Sequence, residues 1–255
     1  MKWKVTQASV TGKAHTIRGE PGQDFTKAGT IQISDNEFFI GIASDGAGST
    51  SDGGKGAETA CETLYTEIIS SVRDLSDLSC ITDQSVRNWV SAARQAIVAQ
   101  SHESGKRLKD YACTILGSVA GNDHAVFFQI GDGAIVTGST SGEEYQTIFW
   151  PEQGEYANTT YFITDETYSD HLRIALAETP GEIALFTDGL QNLVLSFSQK
   201  KAHAGFFRPL FESLRNDSGN SYPGFSAQLE TFLGRDDISA RSDDDKSLVL
   251  AVQTG

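Results

Sequence analysis

The spacing of apolar residues changes several times along this chain, and each change marks an element. Residues 2–10 alternate loosely and are rich in β-formers, which predicts a strand. Residues 37–44 (EFFIGIAS) form a nearly continuous apolar run, the mark of a strand buried on both faces. A glycine-rich turn over 46–56 leads to a helix whose stripe is Ala57, Cys61, Leu64, Ile68 and Val72. After a loop around 74–83, a second stripe of Val86, Trp89, Val90, Ala93 and Ile97 predicts another helix, with Gly105 just past its end.

Strands dominate the remainder. Residues 112–120 and 124–130 read as a hairpin closed by Gly121-Asn122-Asp123. Residues 134–138, 182–187 and 247–252 are further strands, and 206–214 and 225–233 read as short helices. Polar loops are expected at 218–224 and 235–245. There is no internal repeat and no Pro/Gly-rich linker, so residues 1–255 read as one domain. A helix pair inserted between strands and followed by hairpins is not βαβ alternation. It fits an α+β fold: a four-layer α-β-β-α sandwich of two mostly antiparallel sheets flanked by antiparallel helices.

Composition narrows the chemistry. The chain has 34 acidic against 20 basic residues, a net charge of −14. Phosphate-backbone binding needs clustered Lys and Arg, so nucleic acid is not the expected partner. A small phosphorylated group drawn in by local metal charge remains compatible. Three cysteines (Cys61, Cys80, Cys113) show no paired spacing and read as buried, reduced thiols. The N-terminus Met-Lys-Trp-Lys-Val lacks the long apolar stretch of a signal peptide and no run approaches the length of a membrane span, so a cytoplasmic protein is expected.

Short acidic turns carry the candidate chemistry. Asp45-Gly46, Asp188-Gly189 and Gly131-Asp132-Gly133 each follow an apolar run, and Asp243-Asp244-Asp245 precedes the last strand. Asp-Gly is a common turn dipeptide, and any one of these alone is a turn. Several at strand ends are different, because a carboxylate at the mouth of a buried strand is costly without a counter-charge. The five histidines show no metal-ligand spacing, which disfavours zinc. Aspartate oxygens and backbone carbonyls suit Mg²⁺ or Mn²⁺. Two such ions can clamp a phosphate and acidify a shared water. Other motifs fail: a phosphate loop would need glycine at Ser49, a dinucleotide fingerprint glycine at Ser51, and Ser44 lacks a nucleophile elbow.

The ordered set Gly22-Gln23-Asp24-Phe25, Ser44-Asp45-Gly46-Ala47-Gly48, Tyr111-Ala112-Cys113-Thr114, Gly131-Asp132-Gly133, Phe186-Thr187-Asp188-Gly189-Leu190 and Asp244-Asp245-Lys246-Ser247 resembles the metal-dependent PP2C (PPM) serine/threonine phosphatases, most closely their compact bacterial branch. The likeness runs from about Thr6 to Val252. It implies the same α-β-β-α sandwich and direct attack of a metal-activated water on phosphoserine or phosphothreonine. By the same resemblance, Asp45 bridges two metals and Gly46 adds a carbonyl. Asp188 and Asp244 complete the first site, and Asp24 holds metal-bound water. Asp132 serves a third metal in bacterial relatives. A phosphorylated protein substrate and a cognate Ser/Thr kinase are the implied partners. Two positions depart from the family pattern. The arginine expected to grip phosphate falls at Gly19, leaving Arg18 beside it and His15 slightly earlier as candidates. A histidine found in some members as general acid is replaced by Ala47. These departures keep open a catalytically silent binding module, and a small-molecule phosphatase is a further alternative.

Overall fold

The computed structural model describes residues 1–75, 77–140, 144–151, 160–217 and 224–254. The loosely alternating N-terminal segment forms β1 (Lys2–Val10). Thr6 faces Leu250 of the last strand, a pairing that brings the two ends of the chain into one sheet. The first sheet runs in the order β1, β12 (Lys246–Thr254), β9 (Glu182–Phe186), β6 (Ala134–Gly138) and β7 (Tyr145–Thr147). The second runs β2 (Phe25–Ile33), β3 (Asn36–Ser44), β4 (Ile115–Ala120), β5 (His124–Ile130) and β8 (Arg173–Glu178). Every pairing is antiparallel, as is that of the small ribbon β10 (Leu195–Ser196) and β11 (Lys201–Ala202).

The layers follow from the two-residue period of the strands. On β3, Phe38, Ile40 and Ile42 face α2 (Gly53–Val72) and α3 (Asp83–Glu103), together with Leu64, Trp89 and Phe128. Phe39 and Ala43 point the other way and meet Trp3, Leu116, Phe127 and Val249 between the sheets. On the outer face of the first sheet, Phe186 and Leu250 pack with Phe207 and Phe211 of α5 (Ala204–Asn216) and Leu229 of α6 (Gly224–Leu233). The expected α-β-β-α sandwich is therefore present, and β3 is buried on both faces. Each fully buried Phe contributes roughly 1.5–3 kcal/mol, so these interfaces hold the sheets against each other.

Several elements lack a sequence signal. The helix α1 (Lys13–Arg18) buries only His15 and so shows no stripe. In β2 and β8 most residues are half-buried or exposed, which blurs any apolar alternation. Two short helices, α4 (Gln191–Val194) and α7 (Asp236–Ser239), also appear, the latter inside the expected polar loop 235–245. The strand expected at 112–120 begins only at Ile115. Its first residues are used elsewhere: Ala47 N–H donates to Ala112 O at 2.9 Å and Thr114 N–H to Asp45 O at 2.8 Å. Cys61 and Cys113 are buried and free, but Cys80 is exposed, against expectation, in the loop between α2 and α3. Most of the loop 218–224 lies outside the described residues.

Candidate metal centre

Five aspartates from both sheets meet at one end of the sandwich. Asp24 immediately precedes β2 and Asp45 immediately follows β3. Asp132 sits in the three-residue passage from β5 in the second sheet to β6 in the first. Asp188 opens a 3-10 turn after β9, and Asp244 lies just before β12. Asp45 feels the charges of Asp24, Asp188, Asp244 and Asp132, and Asp188 those of Asp132, Asp244 and Asp24.

Dense packing makes this arrangement electrostatically expensive. Burial, then the neighbouring carboxylates, push the Asp45 carboxyl well above its usual range. Burial and Asp132 lift Asp188 to about 8. Asp24 is raised to about 7, mainly by burial, against the lowering effect of its hydrogen bond with Thr187. Asp132 is also raised by burial. Asp244 differs in being exposed.

Each turn is fixed by hydrogen bonds. Asp45 N–H donates to Thr114 Oγ1 at 3.0 Å, and Gly46 N–H to Gln23 O at 3.1 Å. Thr187 Oγ1 donates to Asp24 Oδ2 at 2.7 Å and accepts from Ser247 N–H at 3.0 Å, tying the two sheets together beside the cluster. Around Asp132, Gln129 Nε2 donates to Gly131 O at 2.9 Å and to Gly133 O at 2.7 Å, and Gln191 Nε2 donates to Asp132 O. Gly131 has φ +104°, a conformation in which a side chain would be strained and its Cβ would lie 2.5 Å from Thr114 Cγ2. Gly189 lets Asp188 approach the final strand, since a Cβ there would stand 1.9 Å from Asp245 O.

The residues fit a divalent-cation site. Asp24 Oδ1 is buried and has no hydrogen-bond partner. Asp24 and its neighbours Asp45, Asp132 and Asp188 are held where charge is disfavoured, which a cation would reverse. Among the described residues, no three His, Cys, Asp or Glu side chains form a ready-made ligand trio.

Not every residue expected at the site joins it. Arg18 is half-exposed and its Nε donates to Glu20 Oε2 at 2.6 Å, so its guanidinium is engaged outside the carboxylate group. Lys55 is exposed and bonds Asp52. Trp150 packs edge-on to Phe197. Sequence reasoning missed the hub of the site. Asp245, 2% exposed, accepts from Gly12 N–H at 2.6 Å and Gln23 N–H at 2.5 Å and faces His15 Nδ1 at 3.1 Å. An acidic triplet reads as a solvated loop, and only the strand register at Lys246 turns its last member inward.

Fold and site together define a two-sheet hydrolase scaffold with an acidic cation centre at one end. The model of the protein phosphatase 2C family matches residues 11–234, and the chain belongs to that family. Serine/threonine-protein phosphatase 3 of Escherichia coli (strain K12) is 32% identical over 254 residues, 99% of each chain. Among solved structures, the Mycobacterium tuberculosis serine/threonine phosphatase PstP/Ppp superposes with a TM-score of 0.62 at 14% identity, covering 100% of both chains. Staphylococcus aureus serine/threonine phosphatase Stp1 gives 0.59 at 14% identity, covering 100% of this chain and 96% of that one.

Proposed function

We propose that this chain is a Mg²⁺- or Mn²⁺-dependent phosphoprotein phosphatase that hydrolyses phosphoserine and phosphothreonine without a covalent intermediate. The observation that carries this reading is the convergence of Asp24, Asp45, Asp132, Asp188 and Asp244 from both sheets. Asp45, Asp188, Asp244 and the Gly46 carbonyl would hold two cations, and Asp132 would serve a third. When bound, such cations neutralise phosphoryl charge and make a water nucleophilic near neutral pH. Asp24, oriented by Thr187, would hold and align that water for in-line attack. The Thr114 bond fixes Asp45 at its turn, so little reorganisation is needed when substrate arrives.

Membership of the family and the full-length likeness to a serine/threonine phosphatase support this reading. The silent module and the small-molecule phosphatase find no support there. A phosphorylated protein is the proposed substrate, a Ser/Thr kinase the proposed counterpart and the cytoplasm the proposed location. Among the described residues, no helix is long and apolar enough to cross a membrane. The test is hydrolysis of p-nitrophenyl phosphate with Mn²⁺. EDTA should abolish turnover, and Asp45→Asn should do so with the thermal melt of the folded protein retained. Full activity in Asp45→Asn would place the metals elsewhere.

A further inference from the structure

The second sheet ends in an open edge. Its last strand, β8, pairs with β5 alone among the described residues. Just past β8, Thr179 N–H donates to Asp123 O at 3.1 Å, in register with the β5–β8 pairs. Bonding alternates along an antiparallel strand. Arg173, Ala175 and Ala177 therefore bond β5, while Ile174, Leu176 and Glu178 turn their N–H and C=O groups away from it. Edges of this kind are commonly blunted by lysine, proline or a bulge. Between Arg173 and Glu178, β8 reads Ile-Ala-Leu-Ala, with neither lysine nor proline, and its register with β5 is unbroken.

An apolar groove of about 330 Å³ runs beside this edge, between β8, the start of β5 and the loop joining α2 to α3. Leu78, Ile81 and Val126 line it and are buried, whereas Leu176 is 55% exposed. Ile174 packs into the core beneath α2 and α3, so Leu176, two residues on, points to the same side of the sheet. A residue added opposite Leu176 would share that side and lie over the groove.

Charge selects the occupant. Glu178 and His124 line the groove, Asp77 interacts with His124, and Asp123 accepts the Thr179 bond. Among the described residues, no Lys or Arg lines it. Two copies of a chain with net charge −14 would set these carboxylates against each other. A basic segment complements them. We propose that β8 is a docking edge for an extended segment of a protein partner. That segment carries an apolar residue opposite Leu176 and Lys or Arg two positions away on either side, one of them opposite Glu178. It adds a sixth strand to the sheet through the open N–H and C=O groups. Arg173 Nη2 donates to Gly131 O at 3.3 Å, so the docked strand runs outward from beside Asp132 for about 20 Å. Docking there is independent of turnover at the metal centre.

The probe is the peptide Ac-Thr-Lys-Thr-Leu-Thr-Lys-Thr-NH2, titrated into the folded chain by calorimetry and by NMR hydrogen exchange. Exchange should slow at the amides of Ile174, Leu176 and Glu178, while those of Ala175 and Ala177, already bonded to β5, should change little. Leu176→Lys and Glu178→Lys each alter an exposed side chain. Each should weaken binding about tenfold with an unchanged melt. Replacing both probe lysines by glutamate should weaken it at least as much. Absence of binding by wild type at about 1 mM probe would overturn the proposal. So would equal binding of the glutamate probe, wild-type affinity in both variants, or protection that spares the three open amides. Sedimentation showing a wild-type dimer broken by Leu176→Lys would give the edge to a second copy, and would overturn it too.

Discussion

Gly189→Ala tests whether the Asp188 turn and the entry to β12 are pressed together as the structure has them. The added Cβ would lie 1.9 Å from Asp245 O, where ordinary contact begins at 3.4 Å. About 1.5 Å of separation must open, and the obstacle is backbone rather than a movable side chain. The β9–β12 ladder, with Leu248 opposite Phe186, resists that opening, as does the 3.3 Å bond from Thr187 N–H to Ser247 O. Overpacking of this kind costs about 1–3 kcal/mol. In a chain of this size that is a fall in Tm of roughly 2–12 °C. The displacement also separates Asp188 from Asp244. The Mn²⁺ concentration giving half-maximal p-nitrophenyl phosphate hydrolysis should therefore rise about tenfold, roughly 1.4 kcal/mol of binding. Calorimetric melts of metal-free protein and a Mn²⁺ titration of activity read the two effects. If Gly189→Ala melts within about 1 °C of wild type with the same Mn²⁺ midpoint, the close approach is wrong.

Asp52, 4% exposed at the start of α2, accepts from Lys106 at 2.7 and 2.6 Å, Lys55 at 3.0 Å and Ser51 at 2.7 Å. These bonds, Lys106 first, hold its carboxyl far below the usual range. Because the folded pKa is depressed, this stability is complete above a pH of about 4 and drains away as pH falls below it. The lysines are largely exposed, so Asp52→Asn should cost only about 2 kcal/mol, a Tm drop of roughly 4–8 °C at pH 7 that narrows toward pH 3; a gap that widened in acid would contradict this. Gln129→Leu removes the amide bonded to Gly131 O and Gly133 O, and should cost about 1–3 kcal/mol and reduce kcat by loosening Asp132; unchanged stability and kcat would show that the Arg173 donation to Gly131 O at 3.3 Å and the Gln191 donation to Asp132 O suffice. Phe207→Ala, at a fully buried site on α5, should cost about 3–5 kcal/mol while leaving the Mn²⁺ midpoint of the folded fraction unchanged, since Phe207 lies on the far side of the first sheet.

What could be read from residues alone was set by period and by turn chemistry. The runs at Glu37 and His124 and the stripes from Ala57 and Val86 are long enough for burial to impose a clear repeat. The Asp-Gly turns were legible because glycine beside a carboxylate at a strand end is a local signal. The helix α1 was not, because six residues with one buried side chain have no repeat to detect. Nor was the importance of Asp245 over its neighbours as a structural hub. Its partners Gly12, His15 and Gln23 lie more than 220 positions away, and no local pattern links them. Arg18, a candidate phosphate grip by its position in the sequence, pairs in the structure with Glu20, two residues on.

The three-residue passage Gly131-Asp132-Gly133 joins β5 of one sheet to β6 of the other, with the acidic group at that seam. Any sliding of one sheet over its neighbour must drag Asp24 and Asp45 past Asp188 and Asp244. Ions lodged there would act as rivets across the seam. Chelation should then do more than silence the enzyme, loosening the grip of the two halves on each other and raising deuterium uptake along β3 and β9 together.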